Sequence, residues 1–230
     1  SYLVLKKQGV NVFGNNKPML ILRGIVGSIS LITFFYTLQH IPLASAVTMQ
    51  YLSPIFTSVL GIFIVKERVK PIQFLYFAIS FGGVLVLQGF DTRVDWVFAL
   101  IGISSGLFSG LAYNIIRKLR TSEHPLVVIF YFPLVTLPVA GVVSFFTWVQ
   151  PEGWDWILLL WIGICTQSAQ YFMTLAYQNA NVAKISSLSY LGIIYALIFG
   201  FFIFGETFQM LSFFGMALVL LGIVLNLKVK

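Results

Sequence analysis

An all-α membrane protein, a bundle of helices threading lipid many times, is the fold this sequence predicts. Three observations predict it: charged side chains are scarce, apolar runs of membrane length recur, and the basic residues fall almost entirely on one side. Hydrophobic residues make up 59% of the 230 and charged residues 9%, with a mean hydropathy of +0.94. A soluble domain carries about 25% charge. The charges here are too few to coat a water-facing surface, so the outside must meet lipid.

Eight runs are long and apolar enough to span, at approximately 19–40, 43–65, 72–90, 96–116, 126–148, 156–178, 183–204 and 208–227. A hydrocarbon core about 30 Å thick needs about 20 such residues in a helix. His40-Ile41-Pro42 separates the first run from the second, because a residue before proline is pushed out of the helical region. Asn179-Ala180-Asn181 separates the sixth from the seventh. Strands are not expected: the runs are about twice the length of a barrel strand and show no alternation.

The basic residues set the orientation. Lys6, Lys7, Lys17 and Arg23 precede or open the first run, and Lys66, Arg68 and Lys70 follow the second. Arg117, Lys118 and Arg120 follow the fourth, Lys184 the sixth, Lys228 and Lys230 the eighth. Of the 14 basic residues only Arg93 falls on the opposite side. The positive-inside rule makes the basic side cytoplasmic, with both ends of this chain there. The net charge of +7 is then an insertion signal rather than a nucleic-acid patch. Trp96, Trp148, Trp154 and Trp156 fall at the outer interface, as an aromatic belt does. Short loops and the lack of tails point to a bacterial inner membrane.

The chain repeats itself at an offset of 139. Tyr51-Leu52 pairs with Tyr190-Leu191, Ile55 with Ile194, Gly61 with Gly200, Glu67 with Glu206, and Phe74, Ala78 and Gly83 with Phe213, Ala217 and Gly222. The offset crosses five runs, an odd number, so the two copies thread the bilayer in opposite senses. Inverted repeats are the architecture of many secondary transporters, with a solute site near the midplane. The second copy holds five runs from Trp96 onward, and the counterpart of Trp96 falls ahead of Ser1. The repeat therefore predicts a ten-helix, five-plus-five parent: 1–90 holds the end of its helix 2 and helices 3 to 5, and 96–228 holds helices 6 to 10.

Certain motifs in the two copies carry a resemblance. They are Phe35-Tyr36-Thr37-Leu38, Pro42-Leu43-Ala44-Ser45-Ala46, Tyr51-Leu52-Ser53-Pro54-Ile55-Phe56 and Lys66-Glu67-Arg68, then Leu175-Ala176-Tyr177, Ala183, Tyr190-Leu191 and Gly205-Glu206. With these the chain resembles the EamA-like branch of the drug/metabolite transporter superfamily over essentially its whole length. It departs from the pattern at Ile193, where a proline often stands. The resemblance implies ten helices in two inverted halves, a central cavity, and export or exchange of metabolites or drug-like solutes.

Polar side chains inside a bilayer are costly unless they face protein or water. In the sixth run Gln167, Gln170, Tyr171, Thr174 and Gln178 recur on one helix face. In the second run Gln50, Pro54, Thr57, Ser58 and Gly61 form a similar stripe. Two readings stand: a solute-cavity lining, or hydrogen bonds that tie packed helices together. On the first, Gln50, Gln167, Gln170, Tyr171, Thr174, Tyr190 and Tyr36 are the candidate substrate contacts. Pro54, Glu67, Glu206, Gly102, Gly106 and Gly110 are assigned structural roles. Proline at 54 loosens its helix, and the glycines at every fourth position let backbones approach closely, within the chain or at a homodimer face. Pro133 and Pro138 predict a kink in the fifth run.

No Asp, Glu, Lys or Arg lies in the middle third of any run, which favours uniport or exchange over proton coupling. An enzyme is not expected. The two histidines, His40 and His124, fall on opposite sides, and Cys165 has no histidine near it. No cofactor or metal centre is expected, and the expected partners are a small-molecule solute and membrane lipid. The alternative to a carrier is a non-transporting helical scaffold or receptor.

Overall fold

The computed structural model describes residues 11–41, 43–88, 95–146, 148–204 and 210–229. In order these form α1 (Lys17–His40), α2 (Leu43–Gln50), α3 (Ser53–Ile64), α4 (Pro71–Gln88) and α5 (Trp96–Lys118). A 3-10 turn (Leu119–Thr121) leads to α6 (Pro125–Phe146), α7 (Asp155–Asn179), α8 (Val182–Leu188), α9 (Leu191–Phe204) and α10 (Met210–Lys228). The described residues contain no strand. Among the described residues, five helical stretches are long and apolar enough to cross a membrane, and three shorter apolar helices fall in the remaining runs. The protein is a polytopic helical membrane bundle. Trp156, Leu160, Trp161 and Ile162 on α7 are each more than half exposed, which a lipid-facing helix accounts for and a water-facing one does not.

Two runs that read as single spans are broken. The second divides into α2 and α3 at Tyr51-Leu52, and the seventh into α8 and α9 at Ser189-Tyr190. Pro54 explains the first break: it sits in the first turn of α3, where its missing N–H is no loss. The second break has no proline. Its serines bend the backbone instead: the hydroxyls of Ser186 and Ser187 donate to the carbonyls of Ala183 and Lys184 three residues back. The fifth run, by contrast, stays one helix through Pro133 and Pro138.

The chain divides into two compact units, one of Ser1–Ser28 with Ile115–Ala180, the other of Ile29–Asn114 with Asn181–Lys230. In the first, α6 supplies the buried Val127, Val128, Ile129 and Tyr131, joined by Leu20, Ile115, Ile116, Leu119 and Tyr177. The Glu123 carboxylate accepts hydrogen bonds from the backbone N–H groups of Asn15 and Asn16 just ahead of α1. That places a negative charge where a helix start favours one.

The second unit is built about a local two-fold axis. Its core holds Phe77, Val84, Ala183, Tyr190, Ile193, Val219 and Ile223. A Cβ added at Gly83 would stand 2.6 Å from the Gly215 carbonyl oxygen, and one at Gly222 would stand 2.6 Å from that of Tyr76. Shifting by 139 carries the first contact onto the second. Tyr51 stacks on Tyr190 at 5.8 Å, and the Ser80 hydroxyl donates to the Val219 carbonyl at 3.3 Å. Each of those pairs is separated by the offset itself. Along α4, residues 73, 80 and 83 meet 226, 219 and 215 of α10, so the two helices run antiparallel. A two-fold relating antiparallel helices must lie perpendicular to them. The offset of 139 is thus present in the packing of this unit.

Candidate functional site

In the first unit, the polar face of α7 separates into parts with different neighbours. Gln167, Ser168, Tyr171 and Phe172, with Leu126 and Ile129 of α6, line a hollow of about 330 Å³. Tyr171 is 36% exposed there. Gln170, one residue from Tyr171 and so about 100° round the helix, meets α1 instead. Its Oε1 accepts a hydrogen bond from Arg23 Nη2 at 2.8 Å. Arg23 is 3% exposed, and its guanidinium lies 3.8 Å from the centre of the Phe132 ring.

Close helix approach makes that arrangement. A Cβ at Gly24 would stand 2.6 Å from Val135 Cβ, and one at Gly27 would stand 2.8 Å from the Phe132 ring. α1 therefore lies directly on α6, and the Ser28 and Thr136 hydroxyls hydrogen-bond at 2.8 Å. Further along α7, Thr174 is wholly buried. Its hydroxyl and the Gln178 Nε2 have no hydrogen-bond partner among the described residues. Arg117 Nη1 donates to the Gln178 carbonyl at 2.7 Å, satisfying an orphan acceptor at the end of the helix.

The remaining sequence-derived candidates lie in the second unit, each in a different setting. The Gln50 amide bridges α2 to α5: Nε2 donates to Ser109 Oγ at 2.9 Å, and Oε1 accepts from Ser105 Oγ at 2.6 Å. Ser30 of α1 joins this buried network through Ser109 at 2.6 Å. Both ends of the Gln50 amide are taken up by protein. Tyr190 is completely buried against Tyr51, and its hydroxyl has no hydrogen-bond partner among the described residues. Tyr36 is 44% exposed and its ring centre lies 4.2 Å from that of His40, which stacks on Phe98 at 4.8 Å.

The residues given structural roles have these surroundings. A Cβ at Gly102 would stand 2.6 Å from Met49 Sδ, at Gly106 3.2 Å from the Met49 carbonyl, and at Gly110 2.8 Å from the Thr57 nitrogen. The three glycines thus seat α5 on the broken α2–α3 segment. Glu67 Oε2 accepts from the Val182 N–H at 2.8 Å, at the start of α8. Glu206 lies outside the described residues.

Arg23 and Asn114 are among the buried polar residues that sequence reasoning does not single out as such. Arg23 belongs by sequence to the cytoplasmic charges, yet it is turned inward. Its signal was the small-residue face it shares with Gly24 and Gly27, which brings a neighbouring helix within reach. Asn114 is wholly buried and its Nδ2 donates to the carbonyls of Thr57 at 2.9 Å and Gly110 at 2.8 Å. A lone amide before Ile115-Ile116 was its only mark. Among the described residues no cluster of three His, Cys, Asp or Glu side chains could hold a metal ion.

Comparison with known proteins adds the following. Residues 3–88 and 96–228 match the EamA-like transporter family. The chain is 28% identical to the pseudopaline exporter CntI of Pseudomonas aeruginosa, over 100% of this chain and 81% of that protein. It is 31% identical to an uncharacterized transporter of Helicobacter pylori, over 87% of this chain and 70% of that one. A crystal structure at 19% identity shares the fold, with a TM-score of 0.84 over 98% of this chain and 81% of its own.

Proposed function

Because this chain belongs to the EamA-like transporter family, we propose that its solute passes along the polar face of α7 and leaves the cell by alternating access. The protein is a multi-pass membrane transporter of small solutes. The observation that carries the finer reading is the hollow of about 330 Å³ bordered by Gln167 and Tyr171. It combines an amide and a phenol ring with apolar walls, the mixture by which solute sites fix orientation in a mostly apolar pocket. Gln50 and Tyr190 act as packing residues in this account, and Tyr36 belongs to an aromatic cluster at the end of α1.

Outward transport is supported by the Pseudomonas relative, which is an exporter. The local two-fold of the second unit supports alternating access, because two inverted copies can exchange roles on opening to either side. The setting is a bacterial inner membrane, with both ends of this chain cytoplasmic, as the distribution of lysine and arginine indicates. No chemical step is assigned, since a carrier needs only differential binding.

The test is a thermal-shift screen of the full-length protein against amino acids, nucleosides, vitamins and sugars. A ligand at 100 times its Kd stabilises the folded state by about 2.7 kcal/mol. Gln167→Leu and Tyr171→Ala are each expected to remove the shift while leaving membrane insertion intact. An unchanged shift in both variants removes the α7 face from the solute path. No shift with any solute, together with no flux in proteoliposomes, favours a scaffold over a carrier.

A further inference from the structure

We propose that the hollow between α6 and α7 seats an uncharged, planar ring carrying an amide-type edge, with an N–H donor beside a C=O acceptor. This names the solute class for the site described above, and it rests on the reading that the solute meets this face of α7. All six side chains that line the hollow are uncharged: Gln167, Ser168, Tyr171 and Phe172 on α7, Leu126 and Ile129 on α6. Its volume of about 330 Å³ lies near the lower end of ligand pockets, about 300–1,000 Å³, so the part of the solute seated there is small. The α7 side of the lining is zoned along the helix. Gln167 and Ser168 stand at one level, and Tyr171 and Phe172 stand four residues on, about 6 Å along the axis at 1.5 Å per residue. Residues four apart on a helix are neighbours, so each polar group adjoins a ring. The Tyr171 and Phe172 rings meet edge-on at 5.5 Å, with 70° between their planes. Stacked and edge-to-face contacts with such rings favour an aromatic guest over a saturated one.

The polar groups decide which edge the ring carries. Ser168 spends its proton on the Ile164 carbonyl at 2.9 Å, so only its oxygen is left, as an acceptor. The Gln167 amide differs from the other two glutamines of the predicted site. Gln50 is bonded to serines through both its oxygen and its nitrogen, and Gln170 accepts from Arg23. Gln167 makes no hydrogen bond among the described residues and borders the hollow. An amide holds an acceptor and a donor side by side in one plane. The partner that satisfies both at once is another such edge, an amide or a lactam, in the way glutamine pairs with the edge of a nucleobase. A carboxylate has no proton to give Gln167 Oε1, and an ammonium has no acceptor for its Nε2. Neither would find an opposite charge among the lining side chains, and an unpaired charge inside a span is costly.

The experiment uses the full-length protein in phosphatidylcholine vesicles. Affinities are read from thermal shifts over a concentration series of four matched compounds: benzamide, acetophenone, benzoate and cyclohexanecarboxamide. Benzamide is expected to stabilise. Acetophenone has nearly the same shape but a methyl group in place of the amide nitrogen. It should bind about ten-fold more weakly or worse, because Gln167 Oε1 is left without a donor. Benzoate should give no shift. Cyclohexanecarboxamide keeps the edge and loses the aromatic ring, and should bind about three-fold more weakly or worse. In Gln167→Leu the affinity for benzamide should fall to that for acetophenone. Should that variant fail to fold, the ranking of the four compounds on the unmodified protein decides. Benzoate or acetophenone binding as tightly as benzamide overturns the proposal but leaves the solute path standing, since a solute still binds. A shift with charged amino acids and none with benzamide does the same. Silence with every solute tried, charged and neutral, overturns both readings together.

Discussion

Arg23 and Tyr171 show what helical phase can and cannot reveal. The period of 3.6 residues puts Gln167, Gln170, Tyr171 and Thr174 on one face of the helix. That face is wide enough to meet two neighbours. Gln170 turns to α1 and Tyr171 to the hollow beside α6. Which polar atoms bond to protein depends on the partner helix, and one helix's periodicity carries no information about that. Gln50 illustrates the same gap, since Ser105 and Ser109 are more than fifty residues away in sequence. The glycines were more legible, because removing a side chain has few purposes inside a span. Gly110 allows the sharpest prediction at this scale. A side chain there meets the Thr57 backbone nitrogen at 2.8 Å, and backbone cannot rotate aside. Gly110→Val should cost about 1–3 kcal/mol of stability, the usual penalty for overpacking. Gly82→Ala should cost far less, because nothing lies within 4 Å of the added carbon. Denaturation of the two variants in one detergent checks the contrast.

At the scale of elements, the runs were readable from hydropathy but their interruptions were not. Pro54 is expected to loosen a helix, and the chain does break beside it. The matching break at Ser189-Tyr190 carries no proline, and Ile193 stands where the repeat would place one. Only the repeat linked the two positions. The short helix ahead of that break, α8, begins with a device that sequence spacing could not reveal. Glu67, 115 residues earlier, accepts the Val182 N–H, while Asn181 accepts that of Ala183. Two side chains thus satisfy two of the N–H groups that open α8. The chain turns to present Glu67 through Lys66, whose φ of 55° lies in the left-handed region. Glu67→Ala should destabilise by about 1–2 kcal/mol, as loss of a cap does. Glu67→Gln keeps the acceptor and loses its charge, so it should cost less than half of that. Equal losses would mean that the charge, rather than the hydrogen bond, fixes this end.

For the whole molecule, the offset of 139 was the most informative feature of the sequence, and the packing of the second unit carries it into three dimensions. Tyr51 meets Tyr190, Ser80 meets Val219, and Gly83 and Gly222 make the same contact from opposite sides. No composition statistic contains that symmetry. It follows from a duplicated unit whose apolar face is self-complementary. The inward turn of Arg23 is hidden by the rule that sorts basic residues by side, which treats every one of them as interfacial, and only the small residues Gly24 and Gly27 beside it hint otherwise. Transport requires that the α7 face meet water rather than lipid, and thiol labelling tests this most directly. In full-length protein with Cys165→Ser, single cysteines replace Gln167, Tyr171, Ile157 and Trp161 on α7. A charged, membrane-impermeant maleimide should modify the first two rapidly and the last two barely at all. Equal labelling at all four, or none at Gln167→Cys and Tyr171→Cys, would contradict a hydrated solute path along this helix.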